Sequence, residues 1–469
     1  MEGGRRVDEL IYASTGALAR AIRSREVSSA EVVEAHLRRI DAVNPALNAV
    51  VQLRGDQALD EARRSDETVA RKTDIGPLHG VPITIKDSID TAGCVTTGGT
   101  MGLAEFVPER DATVVARLRA AGAILLGKTN TPELTLAFET DNLVYGRTNN
   151  PYDPSRSPGG SSGGAAAIIA AGGSPLDIGS DTGGSIRLPA HWCGIAGLRP
   201  TSGRVPRTGH RLPPGGWDDA LTQLGPMARF VEDLALALPI IAGVDWRDPA
   251  IVPMPLGNPA AVELPSLRVA FFADNGIVAP TAETAEVVRT AASILEDAGA
   301  AVEEARPPGI EETYELINAV WGADGGAGVR SLLRASGTAQ AHWLTRRSQE
   351  ILLPYAAADA AAFAAVIARW DAFRGAMLAF LEHHDLIVCP VHASPALPHG
   401  ASPDEDPSFA YTETHNLTGW PAAVVRAGTS SEGLPIGVQI VARPWKEDTA
   451  LAAAQRIETD LGGWRPPPI

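Results

Sequence analysis

Residues 156 to 201 read RSPGGSSGGAAAIIAAGGSPLDIGSDTGGSIRLPAHWCGIAGLRPT, and no other stretch constrains the fold so tightly. Two glycine-framed serine clusters lie in it, GGSSGG at 159–164 and DTGGSIR at 181–187. Between them AAAIIAAGG, a small-residue segment, can form a closely packed helix. Glycine beside serine lets backbone N–H groups converge where a side chain would block approach. The stretch therefore brings together hydroxyl nucleophiles and clustered backbone donors, the two requirements of acyl transfer.

Around this stretch strands alternate with helices. Residues 15 to 43 read as two helices, the second opened by a capping box of Ser28 and Glu31 and stopped at Asn44-Pro45. A charged helix follows at 56–72. The β-branched run VPITI then delivers Lys86 and Asp87 at its end. A helix at 112–121, a buried strand at 123–129 and a polar loop lead to the small-residue helix 163–172 and the strand PLDIGSD. Beyond them come a strand at 267–272, a helix at 281–298, a strand at 300–305 and alanine-rich helices over 311–336 and 355–384. The chain closes with strands DLIVCP, AAVVRA and PIGVQIVA and a helix at 447–461. Such alternation predicts an α/β fold, a largely parallel or mixed sheet with helices on both faces. Residues 204–222, rich in Pro and Gly and carrying Trp217, are expected to form a long surface loop over a site. No repeat or long linker divides the 469 residues, so one domain is expected, its motif core at about 76–201.

Charge narrows the partners. With 40 Lys and Arg against 56 Asp and Glu the net charge is −16, the wrong sign for a nucleic-acid partner. The opening MEGGRRVDELIYASTG lacks the apolar core of a signal peptide, and no run of about 18 apolar residues offers a membrane span. Cys94, Cys193 and Cys389 are too scattered for a disulfide framework, which fits the cytoplasm.

Ser161, Ser162 and Ser185 are the candidate nucleophiles, and Lys86 is the candidate base. Serine needs a neighbouring base, and lysine serves only when burial or positive potential keeps it neutral. Residues 160–164 also satisfy G-x-S-x-G, with Ser162 as an α/β-hydrolase nucleophile and His392, His399 or His415 as its partner. That reading requires a strand before the serine, where RSP stands instead. No Gly-Lys-Ser/Thr follows for a phosphate loop, and no HExxH or His/Cys cluster suggests a metal. No cofactor is expected.

On PGGSSGG, DTGGSIRLPA, CGIAGLRPT, GVPITIKD and GKTNTPE, in that family's order, the chain resembles the amidase signature family of serine hydrolases. NLTGWPAAVV and GLPIGVQIV are similar to the family's closing motifs, so the resemblance covers nearly the whole length. It implies a single α/β domain built on a twisted mixed sheet wrapped in helices. It implies a triad of Lys86, Ser161 and Ser185, with Ser185 attacking and Ser161, held by a cis peptide bond, relaying the proton to Lys86. The backbone N–H groups of Thr182, Gly183, Gly184 and Ser185 would form the oxyanion hole, braced by Ser162, Asp181 and Arg187. Thr135 and Trp217 are the candidate substrate contacts. Arg199 stands where the family commonly has lysine. The resemblance points to a free-standing amidase of the aryl-acylamidase or urethane-cleaving type, acting on amides, aryl carbamates and esters as a monomer or homodimer. The rival readings are the glutaminase component of the tRNA-dependent amidotransferase and a non-enzymatic scaffold.

Overall fold

The computed structural model describes residues 9–71 and 75–469. The N-terminal residues 1–8 and the last residue of the expected helix 56–72 lie outside them. Among the described residues eleven strands follow in chain order: β1 Val50–Leu53, β2 Pro82–Lys86, β3 Ile124–Thr129, β4 Leu176–Asp181, β5 Ala196–Arg199 and β6 Gln223–Ala228, then β7 Arg268–Phe271, β8 Ala301–Glu304, β9 Leu386–Pro390, β10 Ala422–Thr429 and β11 Pro435–Ala442.

Eight strands form one mixed sheet in the order β4-β6-β5-β10-β11-β9-β7-β8. Only the pairs β7–β9 and β7–β8 are parallel; from β4 to β9 each neighbour runs antiparallel. The remaining three strands form a second sheet, β1-β3-β2. The expected mixed sheet is present, and this smaller sheet stands beside it. Where β2 comes alongside β4, side chains rather than a backbone ladder make the join. Thr84 and Lys86 of β2 reach Asp177 and Ser180 of β4 through hydrogen bonds of 2.6 and 2.9 Å.

Strands buried on both faces read as continuous apolar runs. In β9, Leu386 and Val388 join one core with the helices Val231–Ile241, Ala282–Asp297 and Glu447–Leu461. Their alternates Ile387 and Cys389 join the other, with Thr313–Gly322 and Ala360–Phe380. The helix Gly163–Ala170 is buried on every side. A Cβ on Gly164 would stand 2.3 Å from the Asn130 nitrogen, which explains why only small residues fit its first turn.

Ser28 and Glu31 do form the capping box. The helix it opens runs through Pro45 to Leu47 and ends at Asn48 in the left-handed region, not at Asn44. So near the C-terminus Pro45 removes one helical hydrogen bond, and its fixed φ remains compatible with the last turn. The Asn44 side chain is free to receive Ala49 and Val50 N–H groups, both at 2.8 Å, turning the chain into β1. The alanine-rich stretch 311–336 divides into Thr313–Gly322 and Ala327–Ala335 around Gly325 and Gly326, both at positive φ. Residues 355–384 keep a single helix, Ala360–Phe380. Among the described residues no single helix is long and apolar enough to cross a membrane.

Candidate active site

Lys86 ends β2 with no solvent exposure. Its Nζ lies 2.6 Å from Ser161 Oγ, 2.9 Å from Ser162 Oγ and 2.9 Å from Ser180 Oγ. Burial pushes its pKa well below the ordinary lysine value, against the upward pull of Asp177 and Asp181. A neutral amine has two hydrogens and one lone pair for three neighbours. Ser162 donates to the Ser180 carbonyl at 3.3 Å, so toward Lys86 it can only accept. Ser161 can then donate to the lone pair while Lys86 donates to Ser162 and Ser180. Protonated, Lys86 donates to all three hydroxyls. Both protonation states are satisfied without rearrangement.

The Gly160–Ser161 peptide is cis. Ser162 caps the buried helix, and its N–H donates to the Ser185 carbonyl oxygen at 3.2 Å. That bond ties the backbone of the two serine clusters together. A direct bond between the Ser161 and Ser185 hydroxyls is absent. Such contacts commonly close only around substrate.

The second cluster is held by Asp181. Its carboxylate accepts from Gly184 N at 2.9 Å, Ile186 N at 3.2 Å, Arg187 Nε and Nη2 at 3.0 and 2.9 Å, and Asn416 Nδ2 at 2.8 Å. Arg199 Nε stands 3.6 Å away. Burial opposes ionisation, but Arg187, Arg199 and Asn416 outweigh it and hold this carboxyl below the usual carboxylate range. Since its N–H is committed to Asp181, Gly184 is not a free oxyanion donor, which corrects the four-donor expectation. The N–H groups of Thr182, Gly183 and Ser185 have no protein acceptor among the described residues.

Helix Ala410–Thr418 closes over this loop. Thr412 Oγ1 donates to the Gly183 carbonyl at 2.7 Å, and Arg187 Nη1 donates to the Thr412 carbonyl at 2.8 Å. Gly184 has φ +128, and a Cβ there would stand 2.3 Å from Thr412 Oγ1. Gly184→Ala is therefore expected to displace the loop and lower kcat/KM by on the order of 10²-fold or more, the scale of one lost oxyanion donor. Steady-state kinetics on any hydrolysed substrate would measure this, and near-normal turnover would show that the loop tolerates the shift.

Phe138 and Trp321 approach the same loop. A Cβ on Gly183 would lie 2.8 Å from Trp321 Cη2 and 3.2 Å from Phe138 Cζ. Phe138 stacks on Phe409 at 3.8 Å between ring centroids. Thr135 sits near the start of the segment that carries Phe138, with φ +64 and a buried hydroxyl that has no partner. Trp217 is placed elsewhere. It packs edge-on against Phe363 and lines a cavity of about 280 Å³ with Ser202, Arg207, Asp219, Thr222 and Gln223, to which none of the triad residues contributes. Thr222 Oγ1 lies 3.0 Å from Thr182 Oγ1, so that cavity backs onto the oxyanion loop. The loop 204–222 lies over the exit of β2, where Arg211 N–H donates to the Ser88 carbonyl at 2.8 Å and Arg211 pairs with Asp90.

The Ser162 elbow has no support in this geometry. No strand runs directly into Ser162, its hydroxyl is buried, and His392, His399 and His415 bond to Ser394, the Pro154 carbonyl and Cys389 instead. Among the described residues no three His, Cys, Asp or Glu side chains are grouped to hold a metal ion.

Sequence reasoning misses Ser180, Arg199, Thr412 and Asn416 as parts of the site. Thr412 and Asn416 do carry a signal, being i and i+4 on one helical face.

The Amidase family model matches residues 31–451. The glutamyl-tRNA(Gln) amidotransferase A subunit of Chloroflexus aurantiacus is 37% identical over 480 residues, spanning 94% of this chain and 95% of that protein. An acylamidase of Rhodococcus erythropolis is 35% identical over 470 residues, spanning 96% and 95%. The structure of a bacterial aryl acylamidase of the amidase signature family superposes with a TM-score of 0.84 at 26% identity, over 96% of both chains. A serine-lysine site on this scaffold and a family match across most of the length lead to one conclusion: the chain belongs to the amidase signature family of hydrolases.

Proposed function

We propose that this hydrolase acts alone on acyl C–N bonds that carry an aryl or other apolar group near the scissile carbonyl. Linear amides are its first substrates, with aryl carbamates and esters beside them. The observation that carries this reading is the pair of rings, Phe138 and Trp321, against Gly183 of the oxyanion loop. Charged head groups lose hydration on entering such a wall and gain no counter-charge from it. Flat apolar groups gain contact area and ring stacking.

Ser185 Oγ attacks the carbonyl carbon and passes its proton to Ser161, which passes its own to the Lys86 lone pair. The carbonyl oxygen becomes an oxyanion facing the free N–H groups of Thr182, Gly183 and Ser185, each well-placed donor contributing about 3–4 kcal/mol. As the C–N bond breaks, the amine leaves with a proton returned from Lys86 through Ser161. Water then cleaves the acyl-enzyme by the same relay. Protein groups alone carry every step, so the mechanism uses no cofactor. The reading includes a cytoplasmic monomer or homodimer with no nucleic-acid or membrane partner.

The identity to the Chloroflexus amidotransferase protein favours a second reading, a glutaminase that works only within a larger complex. Purified alone, the chain is expected to hydrolyse an anilide, an aryl ester or an aryl carbamate far faster than glutamine. Turnover of glutamine only with partner proteins and tRNA present would reverse that order.

A further inference from the structure

Asp177 is a fully buried carboxylate on β4 that the relay does not use. One of its oxygens accepts both Thr84 Oγ1 at 2.6 Å and Thr129 Oγ1 at 3.0 Å, and the other has no hydrogen bond. Unlike Asp181, it makes no ion pair among the described residues. Its bonds run to the strand that carries the base, because Thr84 and Lys86 lie two residues apart and leave β2 on the same side. Asp177 faces Thr84, and Ser180 of the same strand faces Lys86.

We infer that Asp177 is a positioning residue that sets how readily Lys86 takes up its proton. This rests on Lys86 being the base of the proposed reaction. A buried charge without a bonded counter-ion projects its field onto the nearest cations. For Asp177 those are Lys86 and Lys128. Lys128, on β3, directs its Nζ to the Ile89 carbonyl and to Thr91 Oγ1, away from the serines. The other charged or titratable groups around Lys86 are already engaged. Asp181 is matched by Arg187 and Arg199, Asp90 by Arg211, and Asp87 accepts both the N–H and the hydroxyl of Thr97. His210, bonded to Ser88, is held neutral by burial. Asp177 exerts the largest upward pull on Lys86, ahead of Asp181, whose charge Arg187 and Arg199 offset. Burial raises its pKa to about 7, against the hydrogen bonds of Thr84 and Thr129.

Asp177→Asn keeps an oxygen for both threonines and deletes the charge. The rate at which an alkyl fluorophosphonate labels Ser185, followed against pH, reads the base directly. The ascending limb is expected to move to lower pH by about one unit, so that below the wild-type midpoint labelling is ~10-fold faster than wild type. Asp177→Ala, which needs no partner for an amide, is expected to move the limb the same way. An unmoved midpoint with only a lower plateau, in whichever variant folds by circular dichroism, overturns the assignment and leaves Asp177 a structural residue. If the wild-type limb survives in Lys86→Ala, the serine-lysine mechanism itself fails, a result distinct from failure of the Asp177 role.

Discussion

Ser185→Ala is expected to abolish acyl transfer, by on the order of 10⁴-fold or more, while the protein folds normally. Ser185 is 5% exposed, and its hydroxyl makes no hydrogen bond among the described residues that the fold would lose. What anchors the residue is its backbone, through the Ser162 N–H on its carbonyl. Removing Oγ should therefore change stability by less than about 1 kcal/mol, as for other substitutions that break no buried network. Ser162→Ala should behave the opposite way. Its hydroxyl bridges Lys86 and the Ser180 carbonyl, so its loss leaves buried polar groups without partners at a cost of about 1–3 kcal/mol. Anilide turnover and thermal melts on the two variants give the comparison. A dead Ser162→Ala beside a nearly normal Ser185→Ala would restore the α/β-hydrolase elbow.

The parts of this site legible from sequence are those that lie close together in the chain or at the end of a strong pattern. The GGSSGG and DTGGSIR clusters are separated by one short helix, and VPITI announces a buried strand whose last residue is Lys86. The strands β5 and β6 escape a sequence reading, because AGLR and QLGPMA carry few β-branched residues; their place is set by pairing with β10 and β4. The bracing of Asp181 is only partly legible for a related reason. Arg187 is six residues from it and readable, whereas Asn416 is 235 residues away and arrives by the packing of another helix. Arg199 stands out in the sequence as a departure from the family's lysine, with nothing there to tie it to the chemistry. Its guanidinium in fact reaches the Trp420 and Leu221 carbonyls as well as the neighbourhood of Asp181, three directions that a single ammonium could not serve from one point. Trp217 lies away from its expected place because an aromatic in a Pro/Gly-rich loop says nothing about which cavity the loop closes.

Lys86→Ala is expected to lower amide turnover by about 10²–10⁴-fold, the usual contribution of a general base and acid. The sign of the pH dependence follows from burial, which pushes the Lys86 pKa far below its ordinary value of about 10.4. Below the lowered pKa, Nζ is an ammonium that donates to Ser161, Ser162 and Ser180 and can accept nothing. Above it, the lone pair is free for the Ser161 proton. Wild-type kcat/KM should therefore rise with pH through the lowered pKa and then level off, and the variant should lack that limb. Activated esters should lose less than anilides, because their leaving groups depart without a proton. Stability carries an independent mark of the same group. Between the lowered pKa and the ordinary one, the unfolded chain holds a proton at position 86 that the folded chain does not, so unfolding free energy rises with pH. The alanine variant has no such slope from this position. Equal slopes in denaturant titrations of the two proteins across that window, with an unchanged activity limb, would remove Lys86 from the mechanism.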